Sequence, residues 1–156
     1  MTMTMGHHSP LGGQLGVERA KRAAYNRDAV LSASPARLLT MLYDRLLLDL
    51  QRAEVAQDIQ DWAGASEQLL HAQDILTELT SSLRVDAWDG AEGLMGVYTF
   101  ATRALIYANT HRDVDSTRVC IQLLEPLRQT WHEAAAQAPE SVTASIPTAR
   151  GTLGVA

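Results

Sequence analysis

The chain has 156 residues, of which 46% are apolar, 13 basic and 18 acidic, for a net charge of −5. One domain's length with this much apolar material is enough for a sizeable core, which excludes a chain that is disordered throughout. The acidic balance disfavours nucleic acid or an anionic membrane as main partner, no apolar run reaches the ~18 residues of a spanning helix, and a lone Cys120 excludes an intrachain disulfide framework.

Residues 1–16 are rich in Gly, Thr and Met without periodicity, and a flexible tail is expected there. They lack the basic start and apolar centre of a secretory signal, so the chain is expected to stay in the cytoplasm. His7-His8 has no further ligand beside it and is not read as a metal site. Gly12-Gly13-x-x-Gly16 has no strand before it, so it is not a phosphate-binding loop. Val17–Asn26 suits a short helix. Arg19, Lys21, Arg22 and the adjoining Arg27 exceed Glu18 and Asp28 by two charges, which a solvated surface explains more simply than an acidic-partner patch.

Ser34-Pro35 starts the first long helix, expected to reach about Val55. Ser34 can cap free N–H groups, and Pro35 fits the first turn, where its missing N–H costs nothing. Leu38, Leu39, Leu42, Tyr43, Leu46, Leu47, Leu50 and Ala53 cover roughly half of its circumference at about 100° per residue. Arg37, Thr40, Asp44, Gln51 and Arg52 fall on the other, polar half. Met41 and Leu48 interrupt that half, seven residues apart on one line, so the helix carries a second and narrower apolar stripe.

A second helix is expected from about Asp61 to Arg84. Trp62, Ala65, Leu69, Ala72, Leu76, Leu79 and Leu83 repeat at alternating spacings of three and four, a heptad seam. His71 lies away from this seam and is expected to be solvated. It pairs with Glu67 at i,i+4, but no second such pair completes a metal site. Asp86–Gly90 breaks the pattern. Ala91, Leu94, Tyr98, Ala101, Leu105 and Ala108 form a third seam, while Met95, Val97, Phe100, Ile106 and Tyr107 spread apolar surface beyond it. His111-Arg112-Asp113 matches a kinase triplet by letters alone; between two helices it is a turn, and Asp113 or Asp115 can cap the next helix.

The fourth long helix is expected over about Val114–Ala136, with its stripe on Thr117, Cys120, Leu124, Leu127, Trp131 and Ala134. Cys120 then reads as a small buried hydrophobe. Pro126 removes one backbone hydrogen bond, so a kink near Gln122–Glu125 is expected without a break, because the stripe stays in phase. Residues 137–156 have two prolines and no periodicity, and a disordered tail is expected. The chain therefore divides into tail 1–16, helical domain 17–136 and tail 137–156. Its expected fold is all-α, an antiparallel four-helix bundle with a short N-terminal helical segment.

No Glu-x-x-His pair for a di-iron site, no Cys/His cluster, no Walker loop and no Gly-x-Ser-x-Gly elbow occurs. The chain is therefore expected to be neither an enzyme nor the carrier of a metal or cofactor. Surplus apolar surface is what remains. Each such residue taken singly reads as core or as packing under a terminal segment. Met41 and Leu48, with Met95 and Phe100, together suggest a groove for an amphipathic helix.

Tyr25, Val30, Ser32-Ala33-Ser34-Pro35, Leu38 and Met41-Leu42-Tyr43-Asp44 resemble the Y-x4-V-x-T-A-S/T-P-x2-L-x2-M-L-Y-D/N-G pattern of the flagellin-specific export chaperone (FliS) family. Ile75–Leu79, Ser81–Leu83, Asn109, Asp113 and Leu123-Leu124 up to Trp131 keep step with its remaining helices, so the likeness spans about residues 25–135. Arg45 departs from the family's Gly, Ser32 from its Thr, and Trp88–Gly93 and Pro126 are further departures. Arg45 is expected to narrow or re-route a groove beside the first long helix.

The resemblance implies a cytoplasmic chaperone of flagellar type III export. Such a protein binds the disordered C-terminal segment of flagellin, prevents premature polymerisation and presents its client to the cytoplasmic domain of the export gate component FlhA. It implies no cofactor, nucleic acid or membrane insertion. The expected client site comprises Tyr25, Val30 and Met41 at family motif positions, with Leu48, Met95 and Phe100 added from helical phase. The segment around Tyr25 is expected to lie over the same groove when the client is absent. The alternative is a structural bundle that forms a homodimer through the same apolar line.

Overall fold

A computed structural model of the chain describes residues 11–137. They form α1 (Leu11–Ser32), α2 (Pro35–Asp58), α3 (Trp62–Ser82), α4 (Ala91–Thr110) and α5 (Val114–Gln137), with no strand among the described residues. Residues 1–10 of the expected N-terminal tail and 138–156 of the C-terminal one lie outside the described residues. From Leu11 onward the backbone is already helical, ahead of the Val17 start expected from composition. No proline or β-branched residue interrupts 11–16, and the glycines there lower helix propensity without blocking it.

Ser34 caps α2 as its sequence suggests: its backbone is extended, with φ −64° and ψ 160°, and its hydroxyl accepts from the Arg37 N–H at 3.3 Å. The turns after α2 and α4 repeat one device. Gln60 (φ 59°) and Arg112 (φ 53°) adopt the left-handed conformation. In each turn the next residue's N–H then reaches back five positions, Asp61 to the Ala56 carbonyl at 2.8 Å and Asp113 to that of Ala108 at 3.0 Å. That same aspartate starts the following helix. Asp61 accepts from the Gly64 N–H at 3.0 Å, and Asp113 from the Ser116 N–H at 3.3 Å and hydroxyl at 2.5 Å. Each aspartate thus ends one helix and begins another within a three-residue connection.

Such short connections force antiparallel neighbours, and α2–α3, α3–α4, α4–α5 and α5–α2 pack in a closed ring. The sequence seams point inward. Every member of the α4 seam from Ala91 to Ala108 is buried, as are Ala65, Leu69, Ala72, Leu76 and Leu79 of α3. On α2 the core takes Tyr43, Leu46, Leu47, Leu50 and Ala53, and α5 adds Thr117, Cys120 and Leu124. Leu127 and Trp131 are half-buried and Ala134 is exposed, because the core thins where α5 passes the start of α2. The α5 helix runs through Pro126 unbroken, and the carbonyl left without a donor belongs to the exposed Gln122. In contrast, no described side chain of α1 from Gly13 to Asp28 is buried, which leaves this helix outside the four-helix core.

Candidate functional site

Each end of the bundle has a cavity, and the two differ in chemistry. At the end where α2 begins, Pro35, Leu38, Leu39 and Leu42 face Leu79 and Leu83 of α3, with Ala87 and Trp88 from the following connection. Leu94, Tyr98 and Trp131 form the floor of this mainly apolar cavity of about 470 Å³. Below it the Tyr43 and Tyr98 hydroxyls meet at 2.7 Å, and the Trp131 ring lies 6.4 Å from that of Tyr43. Burial pushes both phenols above their ordinary range, so they stay neutral and share a proton donor–acceptor pair inside the core. The buried Trp131 Nε1 forms no full hydrogen bond among the described residues, and the Tyr43 hydroxyl is the polar group it approaches.

At the opposite end polar groups close the bundle. Thr117 Oγ1 donates to Gln57 Oε1 at 2.7 Å, and Gln57 Nε2 donates to the Ala108 carbonyl at 3.4 Å, which ties α5, α2 and α4 together. Arg118 reaches Glu54 at 2.8 Å and Asp58 at 2.9 Å across the α2–α5 seam. Farther along the same seam, Arg128 and His132 both contact Asp44 Oδ1, at 2.9 and 2.7 Å. Burial alone would raise the Asp44 carboxyl, but the hydrogen bonds from His132 and Arg128 hold it below its ordinary value.

The expected client residues do not converge. Tyr25 stands on α1 and is 74% exposed. Val30 is on the α1 backbone, and its side chain lies outside the described residues. Met41 is half-buried and Leu48 exposed on the outer side of α2, and helical phase continues their line to the exposed Val55. Leu48 also lines a cleft with Asp44, Gln51, Glu125 and Arg128. On α4, Met95 and Phe100 are about 140° apart around the helix. Thr99, Thr102 and Arg103 share a cleft with α3 residues, so the flank that carries Met95 faces α3. Phe100, 51% exposed, falls on the flank facing α5 with Val97, Ala104 and Tyr107. Across from it, α5 presents Val119, Leu123 and Pro126, because Arg118, Glu125, Arg128 and His132 occupy its α2 side. Phe100, Tyr107 and Val119 are all substantially exposed, and they mark an unfilled apolar flank between α4 and α5.

None of the six expected residues lines the apolar end cavity. Sequence reasoning assigned Leu38, Leu39, Leu42 and Leu83 to the core and Trp88 to a turn. The available signal was a cluster of large apolar residues at a helix start and in the connection that faces it. His71 is half-exposed yet not simply solvated, since its Nδ1 is hydrogen-bonded to Asp49. Asp49 is fully buried, and Arg45 pairs with it at 2.9 Å. The Arg45 guanidinium is thereby drawn toward Asp49 and the α3 side of α2, while its Cα lies one helical turn from both Met41 and Leu48. Thr40, placed on the polar half of α2 by its phase, is buried and donates to the Arg37 carbonyl at 2.8 Å.

Cys120 is fully buried, and burial pushes its thiol up to about 12, so it remains an unreactive thiol. Among the described residues no group of three or more His, Cys, Asp or Glu side chains could hold a metal, and no helix is long and apolar enough to cross a membrane. Among the described residues the arrangement offers exposed apolar surface beside polar, ion-paired seams.

Comparison with known proteins bears on the family and the fold. The family described as Flagellar protein FliS matches residues 18–138. The flagellar secretion chaperone FliS of Escherichia coli K12 is 30% identical over 123 residues, covering 78% of this chain and 84% of its own. Its counterpart from Bacillus subtilis 168 is 27% identical over 111 residues, with 71% and 83% covered. A crystal structure of a bacterial flagellar chaperone superposes with a TM-score of 0.62 at 18% identity, spanning 76% of this chain and 99% of the other, which establishes the shared fold.

Proposed function

The chain belongs to the Flagellar protein FliS family, and from that membership we propose that it is a cytoplasmic flagellar export chaperone that binds the disordered C-terminal segment of flagellin, prevents its premature polymerisation and aids delivery to the export gate. The observation that carries this reading is apolar surface left over after the core is complete: the Phe100–Tyr107–Val119 flank and the cavity at the start of α2. A disordered client that folds on contact can bury such separated surfaces, repaying its ordering cost with apolar area. Burying one Phe or Leu side chain contributes about 1.5–3 kcal/mol, so a handful of contacts supports specific binding.

Because Tyr25, Met41, Leu48, Met95 and Phe100 sit on different faces, they act as separate contacts of a wrapping client, to which Val30, on the same helix as Tyr25, is also assigned. A single straight helix laid in one groove would not reach them all. The exposed and net-basic α1 with Tyr25 suits a contact with the cytoplasmic domain of FlhA, and the same helix can cover the end cavity when no client is bound. A second reading has one supporting observation. The outer line of α2 extends past Met41 and Leu48 to the exposed Val55, and a homodimer could bury it.

Seeded growth of flagellin filaments tests the main reading. Stoichiometric chaperone is expected to halt elongation, and Phe100→Asp to restore it while the helical circular dichroism is kept. Unimpeded growth in the presence of excess wild-type chaperone would overturn the reading. Sedimentation at rising concentration tests the dimer separately.

A further inference from the structure

The polar end of the bundle holds a second cavity, of about 280 Å³, between the C-terminal turns of α2 and α4 and the first turn of α3. Trp62, Ala65, Leu69 and Ala108 give it an apolar wall. Ser66, Asn109 and Arg112 bring hydrogen-bonding side chains to it, and among the described residues none of the three side chains forms a hydrogen bond or ion pair. Elsewhere along the α2–α5 seam the cations are committed: Arg118 to Glu54, Asp58 and Asp115, and Arg128 to Asp44 and Glu125. Arg112 is held differently. Its guanidinium stacks over the Trp62 ring at 5.2 Å, which fixes its position and leaves its N–H groups free. Gln57, 3% exposed, forms the back of the cavity. The helix termini that meet here are of both signs, and Asp61 and Asp113 already cap the two N-termini, so Arg112 supplies the positive charge at the cavity.

An oriented, unpaired guanidinium beside two neutral hydrogen-bonding side chains and an apolar wall matches one chemical group well. That group is a carboxylate with a short apolar neighbour: the guanidinium takes the two oxygens in a bidentate pair, Asn109 and Ser66 reach the adjoining polar atoms, and Leu69 and Trp62 cover the side chain. We propose that this cavity captures the free α-carboxylate and final side chain of the bound flagellin segment, and so fixes the client's register on the bundle. The assignment rests on the flagellin reading and adds to it the point at which the client chain ends.

The test compares two synthetic peptides of the flagellin C-terminal segment, one ending in the free acid and one in the amide, titrated into the full chain and into Arg112→Gln. Capture predicts that amidation weakens binding by about tenfold or more to wild type and changes binding to Arg112→Gln by less than about twofold. Gln60 shows that a glutamine is accommodated in the corresponding left-handed turn position, and circular dichroism checks that the variant is folded. Acetate added to wild type at high concentration separates a free carboxylate from a chain terminus: the proposal requires that it compete weakly with the acid peptide and not at all with the amide. Equal affinity of acid and amide for wild type would overturn the capture while leaving flagellin binding in place. Failure of both peptides to bind would remove the flagellin reading and this one together.

Discussion

The two ends of this bundle are built from the same four helices and finished in opposite ways. Where α2 and α4 end, three-residue turns, capping aspartates and the Thr117–Gln57–Ala108 hydrogen bonds satisfy backbone and side chains locally. Where they begin, the longer connection from Leu83 to Gly90 leaves Leu38, Leu39, Leu83 and Trp88 around an apolar space. The first end is closed by polar contacts except at the small cavity beside Arg112. The second leaves apolar side chains around open space, and at the polar end the side chains of Ser66, Asn109 and Arg112 are unengaged among the described residues. The difference separates the part of the sequence that closes the fold from the part whose apolar side chains stay uncovered.

Core truncation should show this contrast most strongly. Leu105→Ala, in the fully buried part of α4 near the closed end, is expected to cost about 2–5 kcal/mol. Leu39→Ala, half-buried beside the open cavity, should cost less than half as much, because part of its surroundings is already empty. Denaturant midpoints of the two variants measure the ratio, and equal losses would mean that the two ends are equally packed. Next comes the polar closure. Gln57→Leu takes away the acceptor of the buried Thr117 hydroxyl and one of the two hydrogen bonds at the Ala108 carbonyl, which keeps that from the Asp113 N–H, for an expected loss of about 1–3 kcal/mol. Adding Thr117→Val should recover part of that loss, and a double-mutant cycle without positive coupling would deny the hydrogen bond its role.

The capping aspartates come after these in size. Asp113→Ala removes the acceptor at the start of α5 and is expected to cost about 1 kcal/mol. Its hydrogen bonds from Ser116 hold the Asp113 carboxyl below its ordinary value, as those from His132 and Arg128 do for Asp44. A carboxyl depressed in the folded state contributes stability above its unfolded pKa and loses that contribution as pH falls through the folded value. The stability of the bundle should therefore decline on acidification below the ordinary carboxylate range, and less so in Asp113→Ala than in wild type, as urea midpoints measured across that window would reveal. The smallest effect is a gain. Gln60 pays for a left-handed backbone without glycine's freedom, so Gln60→Gly should raise stability by up to about 1 kcal/mol.

What the sequence made legible follows from periodicity. The heptad seams of α3 and α4 and the Ser34-Pro35 helix start gave the bundle because they depend only on residues a few positions apart. The buried Asp49 escaped that reading: its burial depends on Arg45 one turn before it and His71 on another helix, and spacing within α2 does not reveal the second partner. The same limit split the expected client residues. Met95 and Phe100 are close in sequence, but which neighbour each flank of α4 faces is set by the order of helices around the ring. The end cavity was hidden for a third reason, since its volume arises from how far helix ends stand apart and leaves no mark in any single segment.

The central claim is that the leftover apolar surface exists to fold a client onto the bundle. Isothermal titration with the C-terminal segment of the organism's own flagellin, repeated at several temperatures, tests it most directly. The account predicts sub-micromolar binding (Kd below about 1 μM) at one segment per chain, with a large negative heat-capacity change from apolar burial and coupled folding. No heat of binding at any temperature, with circular dichroism confirming an intact bundle, would contradict it.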